Sequence, residues 1–444
     1  MAYWSDSSVL FAPQMAFGTV NSTTADFEAI QCESPTIAFD TAITELNLLT
    51  GQVGAAPERL IGRRSGTFSF KMPLEGFKSN YNPDVEKPGD AGVLPHWAAL
   101  AANVLGSQNA NIVSAATLWA GAHLNNGTTQ NSGVTSATTS AITFDNAAAW
   151  ADLDAGCLVA TAESKTSTTM QLGFAKSVAG NVVTLFEASK TAVSSATADL
   201  FPSASMWLST AAYTPVPMTI RYTGASTEFC YVMQDWVCTG FQITWNSGEV
   251  PTITFNGNFY DFTMDKTLGG LVVPDAFDRI PQIVGTVNGY ATIDGGQACG
   301  LESCTLDYSI EVVEVPCHAA TQGIAEVAYR NPRVAVSVQV LHKSTDPVYD
   351  SAGVAGNTGS HLWQSWMERA VLTSLSCYVG GKAGKVWAFN VPKGLITSVA
   401  LEKRGEYNAY KVAFEASTYS GDTQLHTETT ANSGINSVFR MGLA

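Results

Sequence analysis

The side chains best able to do chemistry here are eight cysteines and six histidines, and their spacing limits what they can do together. The best metal arrangement is Cys299-x4-Cys304 followed by Cys317-His318, with Cys32 as a further ligand. Zinc is usually gripped by short ligand pairs on a turn, whereas Cys304 opens the alternating run "CTLDYSIEVV". A strand sends successive side chains to opposite faces, so the set reads as buried, hydrophobe-like thiols, with no metal and no cofactor. Cys230 and Cys238 stand about 26 Å apart on a straight strand, beyond the reach of one ion or one disulfide. "GGKAGKVW" (380–387) fails as a phosphate loop, because Val379 stands where the first glycine belongs and Val386 where Ser or Thr would bind magnesium. No GxSxG or HExxH occurs, His96 and His361 read as helix-end packing, and Asp346 with Asp350 is a loop pair of the kind any acidic chain contains. What remains is a tripeptide written twice, Cys230-Tyr231-Val232 and Cys377-Tyr378-Val379. It is a pair of reactive thiols, two halves of a metal site, or one structural position repeated.

Composition narrows the choice. The 444 residues exceed one ordinary core, only 14% are charged, and Thr, Ser, Val, Gly and aromatics dominate, which favours β-sheet joined by Gly-rich turns. A formal net charge of −15 argues against holding nucleic acid through a basic surface, though it suits a surface along which DNA slides without sticking. The start, "MAYWSDSSVLFAPQMAFG", lacks a basic segment ahead of an apolar core, and no stretch approaches a membrane span; the expectation is a soluble, non-secreted protein with free thiols.

The elements that must position these residues follow from periodicity. Residues 1–34 lack a sustained pattern and read as an N-terminal arm. "PTIAFDTAITEL" (35–46) and "GTFSFKMPLEGF" (66–77) alternate as strands, with Phe68, Phe70 and Met72 on one face. "PHWAALAANVLG" (95–106), opening on Pro and closing on Gly, predicts a helix. Residues 107–212 shift to Ser, Thr, Ala and Asn and read as an inserted small β-domain; the main pattern resumes over 213–265 and completes a first unit with 35–106. After a linker at 266–300, a second unit spans 301–425, with "RVAVSVQVLH" strictly alternating and "SHLWQSWMERA" (360–370) a second helix; 426–444 is a tail.

Both units read strand, long connection, strand, loop, Trp-bearing helix, then a Cys-Tyr-Val strand. Leu46 to Thr67 spans 21 positions, as does Val313 to Val334, so the order and spacing predict a duplication in which Cys230 and Tyr231 occupy the positions of Cys377 and Tyr378.

"RRSGTFSFKMPLEGF", "LPHWAALAANVLG" and "FQITWNSGEVPTITFNGNFYD" together resemble the tail tube proteins of tailed double-stranded DNA bacteriophages, and "RVAVSVQV", "GGKAGKVWAFNVP" and "YNAYKVAFEAS" look like the same unit again. The resemblance implies a mainly β fold: two tandem β-sandwich or barrel units, each flanked by one helix, around an inserted β-domain. It implies a non-enzymatic virion protein that forms stacked rings, assembled in the bacterial host cytoplasm, with double-stranded DNA passing through the lumen. Its expected partners are further copies of itself, a tape-measure protein and a tail terminator. Two units per chain favour three chains per ring over six. The connections at 47–65 and 314–332 hold the candidate ring-to-ring contacts Glu58, Arg59, Arg63, Arg64, Gln322, Glu326 and Arg330. A folded insert would block the channel, so it is expected to face outward. The competing readings are another virion β-protein, such as a distal tail component, and a carbohydrate-binding or carbohydrate-active β-sandwich.

Overall fold

The computed structural model describes residues 7–14, 16–22, 26–30, 32–46, 58–76, 95–106, 123–125, 134–144, 155–163, 169–193, 198–201, 203–209, 215–224, 230–264, 289–293, 298–317, 323–341, 363, 367–381, 385–404, 407–424 and 436–444. The chain is mainly β. It opens with β1 (Ser7–Pro13), β2 (Glu28–Ile30), β3 (Glu33–Leu46) and β4 (Glu58–Pro73), followed by the helix α1 (His96–Leu105). The insert supplies β5 (His123–Asn125), β6 (Val134–Thr138), β7 (Ala141–Phe144), β8 (Leu158–Ala162), β9 (Met170–Ala179), β10 (Val182–Leu185), β11 (Asp199–Phe201) and β12 (Ser203–Trp207). The first unit resumes with β13 (Met218–Gly224), β14 (Cys230–Asn246), β15 (Thr252–Phe259) and β16 (Asp261–Met264). The second unit runs through β17 (Tyr290–Ile293), β18 (Ala298–Pro316), β19 (Ile324–Leu341), β20 (Leu372–Val379), β21 (Trp387–Arg404) and β22 (Tyr407–Ala416). Two short strands, β23 (Thr423–Gln424) and β24 (Arg440–Leu443), end the chain.

The two units share one antiparallel order. In the second, β18–β19–β22–β21–β20–β17 closes on itself, because β17 pairs with the first residues of β18. In the first, β3–β4–β15–β14–β13–β1 follows the same path, and β1 pairs with β2, which lies just before β3. Irregularities match as well. Thr239 bulges out of β14 and donates its hydroxyl to the Asn256 carbonyl at 3.2 Å; Thr397 bulges out of β21 and donates to the Ala413 carbonyl at 3.3 Å. On the other flank, Met218↔Trp236 shifts to Ile220↔Met233, just as Thr373↔Gly394 shifts to Leu375↔Val391. Bulges re-aim a strand at fixed places, so matched bulges fix the equivalence of the two units residue by residue.

That register corrects the Cys-Tyr-Val equivalence. Cys377 lies in β20, whose counterpart is β13, and aligns with Tyr222; Cys230 opens β14, the counterpart of β21, and aligns with Ala388. The tripeptides sit one strand apart. Three boundaries also move. The 1–34 arm contains β1, paired along its full length with β13; the run Val9-Leu10-Phe11-Ala12 is buried throughout and therefore shows no alternation. The 266–300 linker contains β17, which closes the second barrel. The 426–444 tail ends in β24, paired with both β12 and β21.

Every residue of α1 is buried, which explains why it is Ala-rich rather than amphipathic. Gly106, at φ 73°, ends it in the left-handed region and returns its N–H to Ala102 and Asn103. Trp97 Nε1 donates to the Glu75 carbonyl at 2.8 Å, and Asn103 pairs with both backbone groups of Val216 at 3.1 and 2.9 Å. His96 Nε2 meets Glu28 Oε2 at 2.5 Å, tying the helix start to β2. In the second unit Trp363, Met367 and Glu368 are helical, and Trp363 packs edge-on against Tyr410 at 5.7 Å.

The insert forms its own sheet, β11-β8-β9-β10-β7-β6, with β23 joining β9 in parallel. It is docked on the second unit. Leu158, Ala160, Leu172 and Phe174 share one apolar cluster with Tyr290, Tyr378, Val386 and Ala388, and Glu187 hydrogen-bonds Thr292 of β17. One pocket of about 350 Å³ lies along this seam, lined by Glu187, Thr373 and Tyr419 among others.

Candidate assembly interface

The long connections of the sequence are the ends of two paired ribbons. β3 pairs with β4 out to Leu46↔Glu58, and β18 with β19 out to Pro316↔Ile324. On the β18–β19 ribbon the side chains of 311–317 and 323–333 are exposed or half-buried apart from Ile324 and Val327, so no regular apolar alternation marks that ribbon in the sequence. Of the candidate ring contacts, Glu58 and Arg59 lie on the β4 backbone, Glu326 and Arg330 are exposed on β19, and Gln322 falls outside the described residues.

Arg63 and Arg64 have acidic partners within the chain. Arg63 makes a two-pronged contact with Glu314, Nη1 to Oε2 at 2.6 Å and Nη2 to Oε1 at 2.7 Å, with its guanidinium 5.1 Å from the Tyr260 ring centre. This fork clamps the first ribbon to the second. The hydrogen bonds from Arg63 hold the Glu314 carboxyl below its usual range. Burial, then the Glu314 charge, pushes the Tyr260 hydroxyl up to about 12, so it stays neutral. Arg64 sits 3.3 Å from Asp261 and over the Phe262 ring. Both arginines read from sequence as free polar contacts because their acidic partners are distant in the chain.

The units meet edge to edge. β14 from Gly240 to Asn246 pairs antiparallel with β18 from Ser309 to Ser303, with Phe241 stacked on Tyr308 at 5.2 Å and Gln242 Nε2 donating to Asp307 Oδ1 at 2.6 Å. Away from the ribbon ends, and among the described residues, two long edges carry no such neighbour: β3, which pairs with β4 alone, and β21 beyond Leu395, which pairs with β22 alone. Each exposes a large apolar side chain, Phe39 at 42% and Leu401 at 58%. Neither edge was legible in the sequence; the signal was the missing polar gatekeeper at those two alternating positions.

Cys238, Cys304 and Cys377 lie within the main apolar cluster. Burial pushes Cys238 up to about 12, and burial with the neighbouring Glu33 charge does the same for Cys32, so both are protonated and poor nucleophiles. Cys230, Cys304 and Cys377 are wholly buried, and Cys317 is half-buried. Among the described residues no three His, Cys, Asp or Glu side chains are grouped to hold a metal ion, and no helix is long and apolar enough to cross a membrane. His318 lies outside them.

No family model and no curated protein matches the chain. Among solved structures, a chain from the tail of an empty GTA particle, refined helically in C6 symmetry, is similar to part of this one, at 16% identity and a TM-score of 0.20 over 28% of this chain and 83% of that one.

Proposed function

We propose that the chain is a structural subunit that assembles with copies of itself into stacked rings, forming the tube of a phage-like tail. The single observation that supports this is the internal repeat: two units of one strand order and one bulge register, already joined side by side through β14 and β18. A chain that packs one unit against the next by an edge pairing contains the rule by which further units are added, and repeated rotation closes a ring. Two units per chain favour three chains where a single-unit subunit would need six. In this reading the protein has no reaction of its own. The excess of acidic residues, with a net charge of −15, keeps double-stranded DNA mobile in the lumen, and the subunit resides in the virion tail after assembly in the host cytoplasm. Tape-measure and terminator proteins are its expected companions from the family resemblance.

The test is electron microscopy and mass measurement of the purified full chain over a concentration series. Rings or tubes with three chains per turn are expected. Monomers at every concentration, or rings of six full chains, would count against the reading.

A further inference from the structure

The free edges of β3 and β21 are the two halves of the junction that β14 and β18 make within the chain. Under the register fixed by the bulges, β21 is the counterpart of β14, placing Val399, Ala400, Leu401 and Glu402 at the positions of Phe241, Gln242, Ile243 and Thr244. Carried through the pairings β15–β4, β22–β19, β4–β3 and β19–β18, the same equivalence aligns Thr36, Ile37, Ala38 and Phe39 with Thr305, Leu306, Asp307 and Tyr308. In the internal junction Ile243 and Leu306 are 0% exposed and Tyr308 is 2% exposed. Their counterparts on the free edges are Leu401 at 58%, the partly buried Ile37 and Phe39 at 42%. The same pleat positions are therefore core where a neighbouring unit is present and bare where it is absent.

We infer that β21 of one chain pairs antiparallel with β3 of a second copy, in the register of the internal junction: Val399 opposite Phe39, Ala400 opposite Ala38, Leu401 opposite Ile37 and Glu402 opposite Thr36. The inference rests on the ring-forming reading and specifies the contact that makes the ring. Phe39 is prepared for it, because the Tyr231, Phe259 and Phe262 rings fix it at 5.3, 5.8 and 4.5 Å while its outer face stays open. Val399 then covers that face as Phe241 covers Tyr308. Opposed residues of an antiparallel pair have Cα atoms about 4.5–5.5 Å apart, within the span of a disulfide. A slip of one residue would turn Leu401 away from the apolar side.

The test is a full-length variant carrying Ala38→Cys and Ala400→Cys, assembled under reduction and then oxidised. A non-reducing gel is expected to show a dimer-to-trimer ladder. Each single substitution, and the slipped pair Ala38→Cys with Leu401→Cys, should show no ladder. Rings that form without the 38–400 cross-link would overturn the register while leaving the ring reading intact; absence of rings in the unmodified protein would overturn both. Independently, Leu401→Lys should abolish assembly while leaving the thermal melting of the monomer unchanged, since the side chain is exposed there. Normal rings from that variant would refute the pairing.

Discussion

Replacing Arg440 by Met tests how the last residues lock the insert to the second unit. Arg440 ends up wholly buried, ion-paired to an equally buried Asp422 through Nη2, with its guanidinium 5.8 Å from the Phe186 ring of the insert and 5.4 Å from Tyr419. It sits in β24, which pairs with β12 on one side and β21 on the other. Burial pulls its pKa below the ordinary guanidinium value, with the Asp422 charge opposing. Arg440→Met would leave the Asp422 carboxylate with the Tyr419 hydroxyl and the Asn436 N–H, each at 2.8 Å, and no countercharge. Stranding one member of a buried pair costs about 3–5 kcal/mol, which is roughly 150- to 5,000-fold in the population of the opened state. Amide hydrogen exchange followed by mass spectrometry on residues 436–444 reads that opening directly and does not require a 444-residue chain to unfold in one step. Arg440→Met and Asp422→Asn should each accelerate exchange by about a hundredfold or more, and the double variant should recover most of the protection because neither charge is then stranded. If the single variants exchange like the parent, or the double variant shows the product of the two accelerations, the ion pair does not hold the tail.

Gly257→Ala should destabilise the first unit by about 1–3 kcal/mol, since a methyl there meets Trp236 Cε2, Trp236 Nε1 at 2.5 Å and the Val237 carbonyl oxygen at 2.6 Å, and Trp236 is held by its 3.2 Å bond to the Phe68 carbonyl. The control Gly300→Ala, with nothing within 4 Å of the added carbon, should melt with the parent; equal melting of both variants would show that the indole yields freely. Asp235 is raised above the usual aspartate value mainly by burial, although the Gly18 N–H at 2.7 Å and Gln14 Nε2 at 3.1 Å oppose the shift. Because the folded state binds its proton more tightly than the unfolded chain, stability falls as pH rises from 3.8 through the folded pKa. Asp235→Asn keeps the acceptor and tolerates φ 53°, so it should raise the melting temperature at pH 7 and converge with the parent below about pH 4; the opposite pH trend would refute the assignment.

Much of the fold was legible as local pattern. Phe68, Phe70 and Met72 alternate because one face of β4 meets the core, and Pro95 and Gly106 bracket α1 because neither fits a helix interior. The repeated strand–helix–strand order was readable too, since it follows from the same periodicities taken in sequence. The shared Cys-Tyr-Val was misleading: a three-residue match on a strand recurs by composition, whereas the bulges at Thr239 and Thr397 become visible only when each strand is set against its partner. β1 and β17 escaped notice because short, fully buried strands do not alternate, and the Arg63–Glu314 clamp because its halves lie far apart in the chain.

The sequence by itself determined a mainly β chain, its duplicated order and its acidic balance, all properties of residues and their neighbours. The tertiary structure decided which edge meets which. Strand pairing is a non-local choice made by backbone N–H and C=O groups common to all residues but proline, so the periodicity of one strand does not name its neighbour. That choice buried Ile243 at the internal junction and left Leu401, its counterpart, facing outward.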